Sequence, residues 1–132
     1  MLSDPLSDFL CRLRNAANAQ LPEVVLPHSR LKERVADVLR REGYLSDVSV
    51  EGGASSAKKQ LRVKLRYNGR KSVIEGLRRL SKPGRRVYAG SREIPRIRGG
   101  LGVIVLSTSA GVVTDREARR RNLGGELLCS VW

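Results

Sequence analysis

Histidine occurs once in this chain, at position 28, and cysteine twice, at 11 and 129. A nucleophilic serine or cysteine needs a base that is itself oriented by a third group. His28 lies far along the chain from the densest cluster of hydroxyls, beside a helix start, so it reads as a loop or cap neighbour. The two cysteines fit no metal-ligand spacing and read as free thiols of a reducing cytosol. Carboxylates are few, 13 against 26 basic residues, and they are scattered, so no paired-carboxylate site forms. No apolar run approaches the ~20 residues that span a bilayer. The start, Met1-Leu2-Ser3-Asp4-Pro5, lacks the basic and apolar regions of a signal peptide. Aromatics number five, Phe9, Tyr44, Tyr67, Tyr88 and Trp132, too few and too dispersed for a row of base-stacking platforms. The expectation is no enzyme, no metal, no cofactor, no small-molecule substrate and no membrane.

What is abundant is positive charge. The net charge is +13 over 132 residues, and 20 of the 26 basic residues are arginine. Arginine presents a rigid fork that matches a phosphate, so the bias favours nucleic acid over mere solubility. Residues 1–66 carry +4 and residues 67–132 carry +9, which makes the second half the better binding candidate. With 40% hydrophobic residues the chain can bury a core without disulfides.

Ser3-Asp4-Pro5 opens a helix in which Leu6, Phe9, Leu10, Leu13 and Ala17 form one stripe, leaving Arg12, Arg14, Asn15 and Asn18 wet. A short strand follows between Pro22 and Pro27. Ser29 caps a second helix with Leu31, Val35, Val38 and Leu39 inward and Gly43 as its stop. Two alternating segments come next, Tyr44 to Val50 and Leu61 to Leu65, the latter with a basic outer face of Arg62, Lys64 and Arg66. A Gly/Ser loop and Lys58-Lys59 separate them. The first unit, residues 1–67, therefore reads α-β-α-β-β and ends at the Asn68-Gly69 turn.

The second unit, residues 68–132, reads as mostly β with short helices, and the whole as an α+β fold of two small packed units. Residues 71 to 80 are ambiguous: Val73, Ile74, Leu77 and Leu80 keep helical spacing, but Gly76 and the β-branched start weaken it. Arg85 to Tyr88 looks like a short strand after the Pro83-Gly84 turn. Gly99, Gly100 and Gly102 bend into an apolar strand, Val103 to Leu106. They precede a strand instead of joining strand to helix, so they are no phosphate loop.

Where that strand ends, Ser107-Thr108-Ser109-Ala110-Gly111 presents three hydroxyls in a row. Thr114 and Glu117 have capping-box spacing and start a short basic helix with Arg116, Arg119, Arg120 and Arg121. Hydroxyls donate and accept, as ribose 2′-hydroxyls and base edges do, and arginines supply phosphate contacts. The combination suits the shallow groove of an irregular RNA helix, with Tyr88 as the one aromatic beside it. Ser29-Arg30-Leu31-Lys32 has the spacing of a serine–lysine catalytic pair, but its companion motifs are absent. A second group of candidate RNA contacts lies in the first half: Arg12, Arg14, Asn15, Ser29, Arg30, Lys32, Lys58 and Lys59.

Taken in order, these motifs resemble the family of bacterial small-subunit ribosomal protein eight along essentially the whole chain. The resemblance rests on Asp4-Pro5-Leu6-Ser7-Asp8 with Arg12 to Ala16, on Leu39 to Tyr44, and on Ser81-Lys82-Pro83-Gly84 with Arg86-Val87-Tyr88. It is strongest from Gly100 through Ser107-Thr108-Ser109, Gly111 and Thr114-Asp115-Arg116 to Gly124-Gly125-Glu126. It implies a cytoplasmic protein of the small ribosomal subunit. Such a protein binds the central domain of small-subunit rRNA directly, helps assemble the platform and touches neighbouring ribosomal proteins. A free repressor that binds a similar messenger hairpin is the alternative. The resemblance further implies a strand at residues 71 to 80, and RNA contact by Ser107, Thr108, Ser109 and Gly111 with Tyr88, Glu126 and Arg86 nearby. Four positions depart from the family pattern: Val113 for a usual Met, Ala89-Gly90 for a basic stretch, and His28 for a small residue.

Overall fold

The computed structural model describes residues 4–52 and 59–132, so Ser3, the loop from Gly53 to Ser56 and the candidate contact Lys58 lie outside the described residues. The described chain divides into two units, residues 5–74 on one side and Asp4 with residues 75–132 on the other.

In the first unit the elements run α1 (Pro5–Asn18), β1 (Glu23–Pro27), α2 (Arg30–Arg41), β2 (Leu45–Glu51), β3 (Gln60–Leu65), β4 (Tyr67–Asn68) and β5 (Lys71–Ser72). Three strands form an antiparallel sheet in the order β1-β3-β2. Its central strand alternates as the sequence does: Leu61, Val63 and Leu65 are buried while Arg62 and Lys64 face outward. The two helices contact each other, α1 also touching β1 and α2 touching β2. Leu6, Phe9, Leu10 and Leu13 of α1 and Val35, Val38 and Leu39 of α2 are almost wholly buried. Each such side chain contributes about 1.5–3 kcal/mol through burial.

Two details of the helical stripes differ from the sequence expectation. Ala16, not Ala17, completes the buried face of α1. In α2, Leu31 is partly exposed and Lys32 is buried, its ammonium donating to the Pro27 carbonyl. That carbonyl lies just before the helix and offers the lysine an acceptor inside. Ser29 caps α2 by accepting the Lys32 N–H at 3.2 Å. Gly43, at φ +87, stops it: the amides of Gly43 and Tyr44 bond back to the carbonyls of Arg40 and Leu39, as in a Schellman cap. A turn at Gly69-Arg70 closes β4 on β5, one residue beyond the expected Asn68-Gly69 pair, and both strands lie within residues 5–74.

The second unit holds β6 (Leu77–Arg79), β7 (Tyr88–Ala89), β8 (Val103–Thr108), β9 (Gly111–Thr114), α3 (Asp115–Arg120) and β10 (Gly125–Val131). Its antiparallel sheet runs β6-β10-β8-β9, with β7 also on β10. Ile94, Ile104, Leu106, Val113, Ala118 and Leu127 form its core, so Val113 serves as an ordinary core residue. Within residues 71 to 80 only 71–72 (β5) and 77–79 (β6) are strand, with no regular structure at 74–76, and the helical count fails there because their amides are committed elsewhere. Val73 donates to the Arg66 carbonyl, and Glu75 and Gly76 both donate to Trp132 O. A Cβ on Gly76 would lie 2.3 Å from the Trp132 ring, which explains a glycine at a position that helical spacing alone cannot interpret. The Arg98 guanidinium sits over the same ring, 5.4 Å from its centroid. The Arg79 guanidinium donates to both carboxylate oxygens of Asp4, at 3.1 and 3.4 Å, and to the Leu128 carbonyl at 2.7 Å.

Candidate nucleic-acid interface

The three-hydroxyl run sits at the tip of a hairpin. Ser107 and Thr108 are the last residues of β8, Ser109-Ala110 form the turn, and Gly111 at φ +104 begins β9. A strand therefore separates the hydroxyls from the basic helix, which corrects the expectation of a direct strand-to-helix loop. Only Gly111 has a positive φ in the turn, the pattern of a tight turn followed by a left-handed bulge residue.

Thr108 holds this turn together. Its hydroxyl accepts the Ala110 N–H at 3.1 Å and donates to the Gly111 carbonyl at 2.8 Å. Its donor is thereby used inside the protein. The hydroxyls of Ser107 and Ser109 have no partner among the described residues and are open to a ligand.

Pairing extends this tip into a row. Tyr88 lies opposite Glu126, Glu126 opposite Ser107, and Ser107 opposite Val112. Directly paired residues of antiparallel strands share a face, and four strands spaced ~4.8 Å apart make a row about 14 Å long. It presents an aromatic ring, a carboxylate, a hydroxyl and an apolar side chain in order. Tyr88 is 68% exposed.

Glu126 is held, not loose. Its Oε2 accepts from the buried Ser81 hydroxyl at 2.5 Å and from the Arg86 guanidinium at 3.0 Å. Oε1 has no partner among the described residues and can accept from outside. Arg86 therefore acts first on Glu126. Two glycines let β10 enter here. A Cβ on Gly125 would stand 2.1 Å from the Ser107 carbonyl oxygen, and one on Gly124 would stand 2.9 Å from that of Ala89.

Thr114 caps α3 by accepting the Glu117 N–H at 3.2 Å. The Glu117 carboxylate lies near Arg120 and Arg121, at 3.6 and 3.4 Å. Arg116 is exposed and has no partner among the described residues. Arg119 is different: it pairs with Asp115 at 2.9 Å and donates to the carbonyls of Ile94 and Pro95 at 3.2 and 2.9 Å. Asp115 is itself buried and accepts the Ile104 N–H at 3.2 Å. The pair pins α3 to β8 and to the segment at 94–95, so the Arg119 guanidinium is engaged as a clamp inside the unit. Sequence reasoning missed Asp115 because it looks like an ordinary acid of a helix first turn. Only the strand beside it reveals the buried role.

The first-half candidates spread over several faces. Arg12 pairs with Asp8 at 3.1 Å, Asn15 donates to Cys11 Sγ at 3.7 Å, and Arg14 is exposed. Ser29 is a helix cap, Arg30 is exposed and Lys59 half-buried. Lys32 is buried with its ammonium turned inward onto the Pro27 carbonyl, and burial lowers its pKa. Among the described residues no helix is long and apolar enough to cross a membrane.

The family model described as ribosomal protein S8 matches residues 4–132. The chain belongs to the ribosomal protein S8 family. It is 48% identical over 132 residues to "Small ribosomal subunit protein uS8" of Nitratidesulfovibrio vulgaris (strain DSM 19637 / Miyazaki F), covering the whole of both chains. An S8-family chain is a structural, non-enzymatic, rRNA-binding component of the small ribosomal subunit in the cytoplasm, and its partners are small-subunit rRNA and other ribosomal proteins.

Proposed function

We propose that this chain binds the central domain of small-subunit rRNA directly and helps assemble the platform, using the β8–β9 hairpin tip as its specificity element. The observation that carries this is the pairing row of Tyr88, Glu126 and Ser107, close to the hydroxyl of Ser109, which has no partner among the described residues. Such a row asks for an irregular RNA surface. A regular helix offers 2′-hydroxyls and phosphates in the shallow groove, but a carboxylate repels phosphate. Glu126 Oε1 is matched by an amino group of an exposed base edge, and Tyr88 by a base or ribose face. Ser107 and Ser109 add donors and acceptors, while Arg116 and Arg120 supply general attraction.

Affinity for a transcript of the central domain tests this. Ser107→Ala and Ser109→Ala are each expected to weaken binding by roughly 1 kcal/mol if their hydroxyls are bonded in the complex. Unchanged affinity in the double variant would remove the hairpin tip from the account.

A further inference from the structure

Residues 5–74 contain a cleft of about 400 Å³ lined by His28, Arg30, Glu33, Arg34, Val50 and Lys59. These side chains come from the turn after β1, the first two turns of α2, the end of β2 and the approach to β3. A backbone bond from His28 N–H to the Lys59 carbonyl, 3.2 Å, holds two of those segments together.

Its cations are open. Elsewhere in the unit Arg12 pairs with Asp8, Arg40 and Arg41 with Asp37, and Arg62 with Glu23 and Glu51. Arg30, Arg34 and Lys59 have no ion-pair partner among the described residues. Glu33 is the one carboxylate in the cleft and lies three positions from Arg30, a spacing at which opposite charges normally meet on a helix. It is diverted: Glu33 Oε1 lies 2.6 Å from His28 Nε2. Arg30 and Arg34, four residues apart on one helical face, are left as neighbouring like charges, an arrangement that repels until an anion sits between them.

We propose that this cleft is a phosphate-binding site that seats the phosphodiester backbone of RNA, with His28 as the positioning residue that keeps Glu33 away from the arginines. Two guanidinium forks and an ammonium match the oxygens of one or two phosphates, and Val50, partly exposed, gives an apolar wall for a ribose. The site reads no sequence, since phosphates carry none. This rests on the reading that the chain binds RNA, but it is separable from the hairpin tip.

An uninterrupted RNA duplex is the probe, because it offers phosphates and lacks an irregular base edge. Replacing Arg30, Arg34 and Lys59 together by Gln is expected to weaken duplex binding about tenfold or more and to flatten the salt slope by about two to three. His28→Ala should weaken duplex binding by releasing Glu33, and His28→Ala with Glu33→Gln should restore it. Ser107→Ala with Ser109→Ala should leave the duplex untouched and weaken only the central-domain transcript. Unchanged duplex affinity and salt slope in the triple variant, with the fold intact by circular dichroism, would overturn the site. An unaltered His28→Ala would overturn the positioning role. If the transcript is bound no better than the duplex, the hairpin-tip reading fails while the duplex comparison still decides the cleft.

Discussion

The buried Ser81 hydroxyl donates to Glu126 Oε2 at 2.5 Å while accepting the Val87 N–H at 3.1 Å. One small side chain thereby fixes both the strand approach to Tyr88 and the carboxylate in the middle of the pairing row. Ser81→Ala leaves the Val87 amide unsatisfied in a partly buried place, and Glu126 without its buried donor, and is expected to cost about 1–3 kcal/mol of stability. Urea unfolding measures it, and a change below 0.5 kcal/mol, about the size of a surface substitution, would show the hydroxyl to be dispensable.

Thr108 should behave differently from its two serine neighbours. Thr108→Val keeps the shape but loses both turn bonds, so it should lower stability by about 1 kcal/mol and weaken central-domain binding through a displaced tip. Thr108→Ser retains the hydroxyl and should restore both. Equal binding by Thr108→Val and the parent protein would mean the turn does not need this bond pair.

Two glycines are required for different reasons, and substitution separates them. Gly125→Ala places a methyl against the Ser107 carbonyl, where backbone must move, so loss of the β8–β10 pairing at its tip end is expected. Gly111→Ala meets nothing within 4 Å and suffers only from φ +104, a strain of roughly 1–2 kcal/mol. Thermal unfolding should rank Gly125→Ala as the more damaging; the reverse order would contradict the packing account.

Arg119 offers a sharp contrast with Arg116. Asp115→Ala or Arg119→Gln removes a largely buried pair and its backbone bonds, so stability should fall by about 2–4 kcal/mol. Arg116→Gln should leave stability nearly unchanged and reduce the salt slope of RNA binding by about one. A lowered salt slope for a fully folded Arg119→Gln would show that this residue also contacts phosphate.

The two thiols should separate cleanly. Cys11 is exposed and open to alkylation, while burial raises the Cys129 thiol to about 12. Native protein should take up one equivalent of iodoacetamide near pH 8, and denatured protein two. The unfolded thiol ionises from about pH 8.5 while the folded one stays protonated. This contribution to stability is therefore intact below that pH and is lost as pH climbs towards 12. Rapid native labelling of Cys129 would show that the sheet opens locally.

The first unit was legible because local signals agree there. Ser29 and Gly43 bound α2, and the alternation of Leu61, Val63 and Leu65 marks β3. Residues 71 to 80 were not legible from spacing, because the partner of their amides, Trp132, is distant in sequence. At the hairpin, the run of hydroxyls beside the arginines pointed to RNA, and the family resemblance then implied which RNA. It could not distinguish Thr108, which closes the turn, from Ser107 and Ser109, which remain open.

Composition and local pattern by themselves determined that this chain is an arginine-rich α+β protein carrying a run of hydroxyls close to a basic helix. Only the tertiary structure decided which charges are available. Arg119 and Lys32 are turned inward because carbonyls and, for Arg119, the buried Asp115 lie within reach; among the described residues Arg30 and Arg34 have no ion-pair partner, and Glu33 lies against His28. A charge in the sequence is only a possibility of contact. Its partner in space, which comes from another part of the chain, sets whether it binds outward or holds the fold.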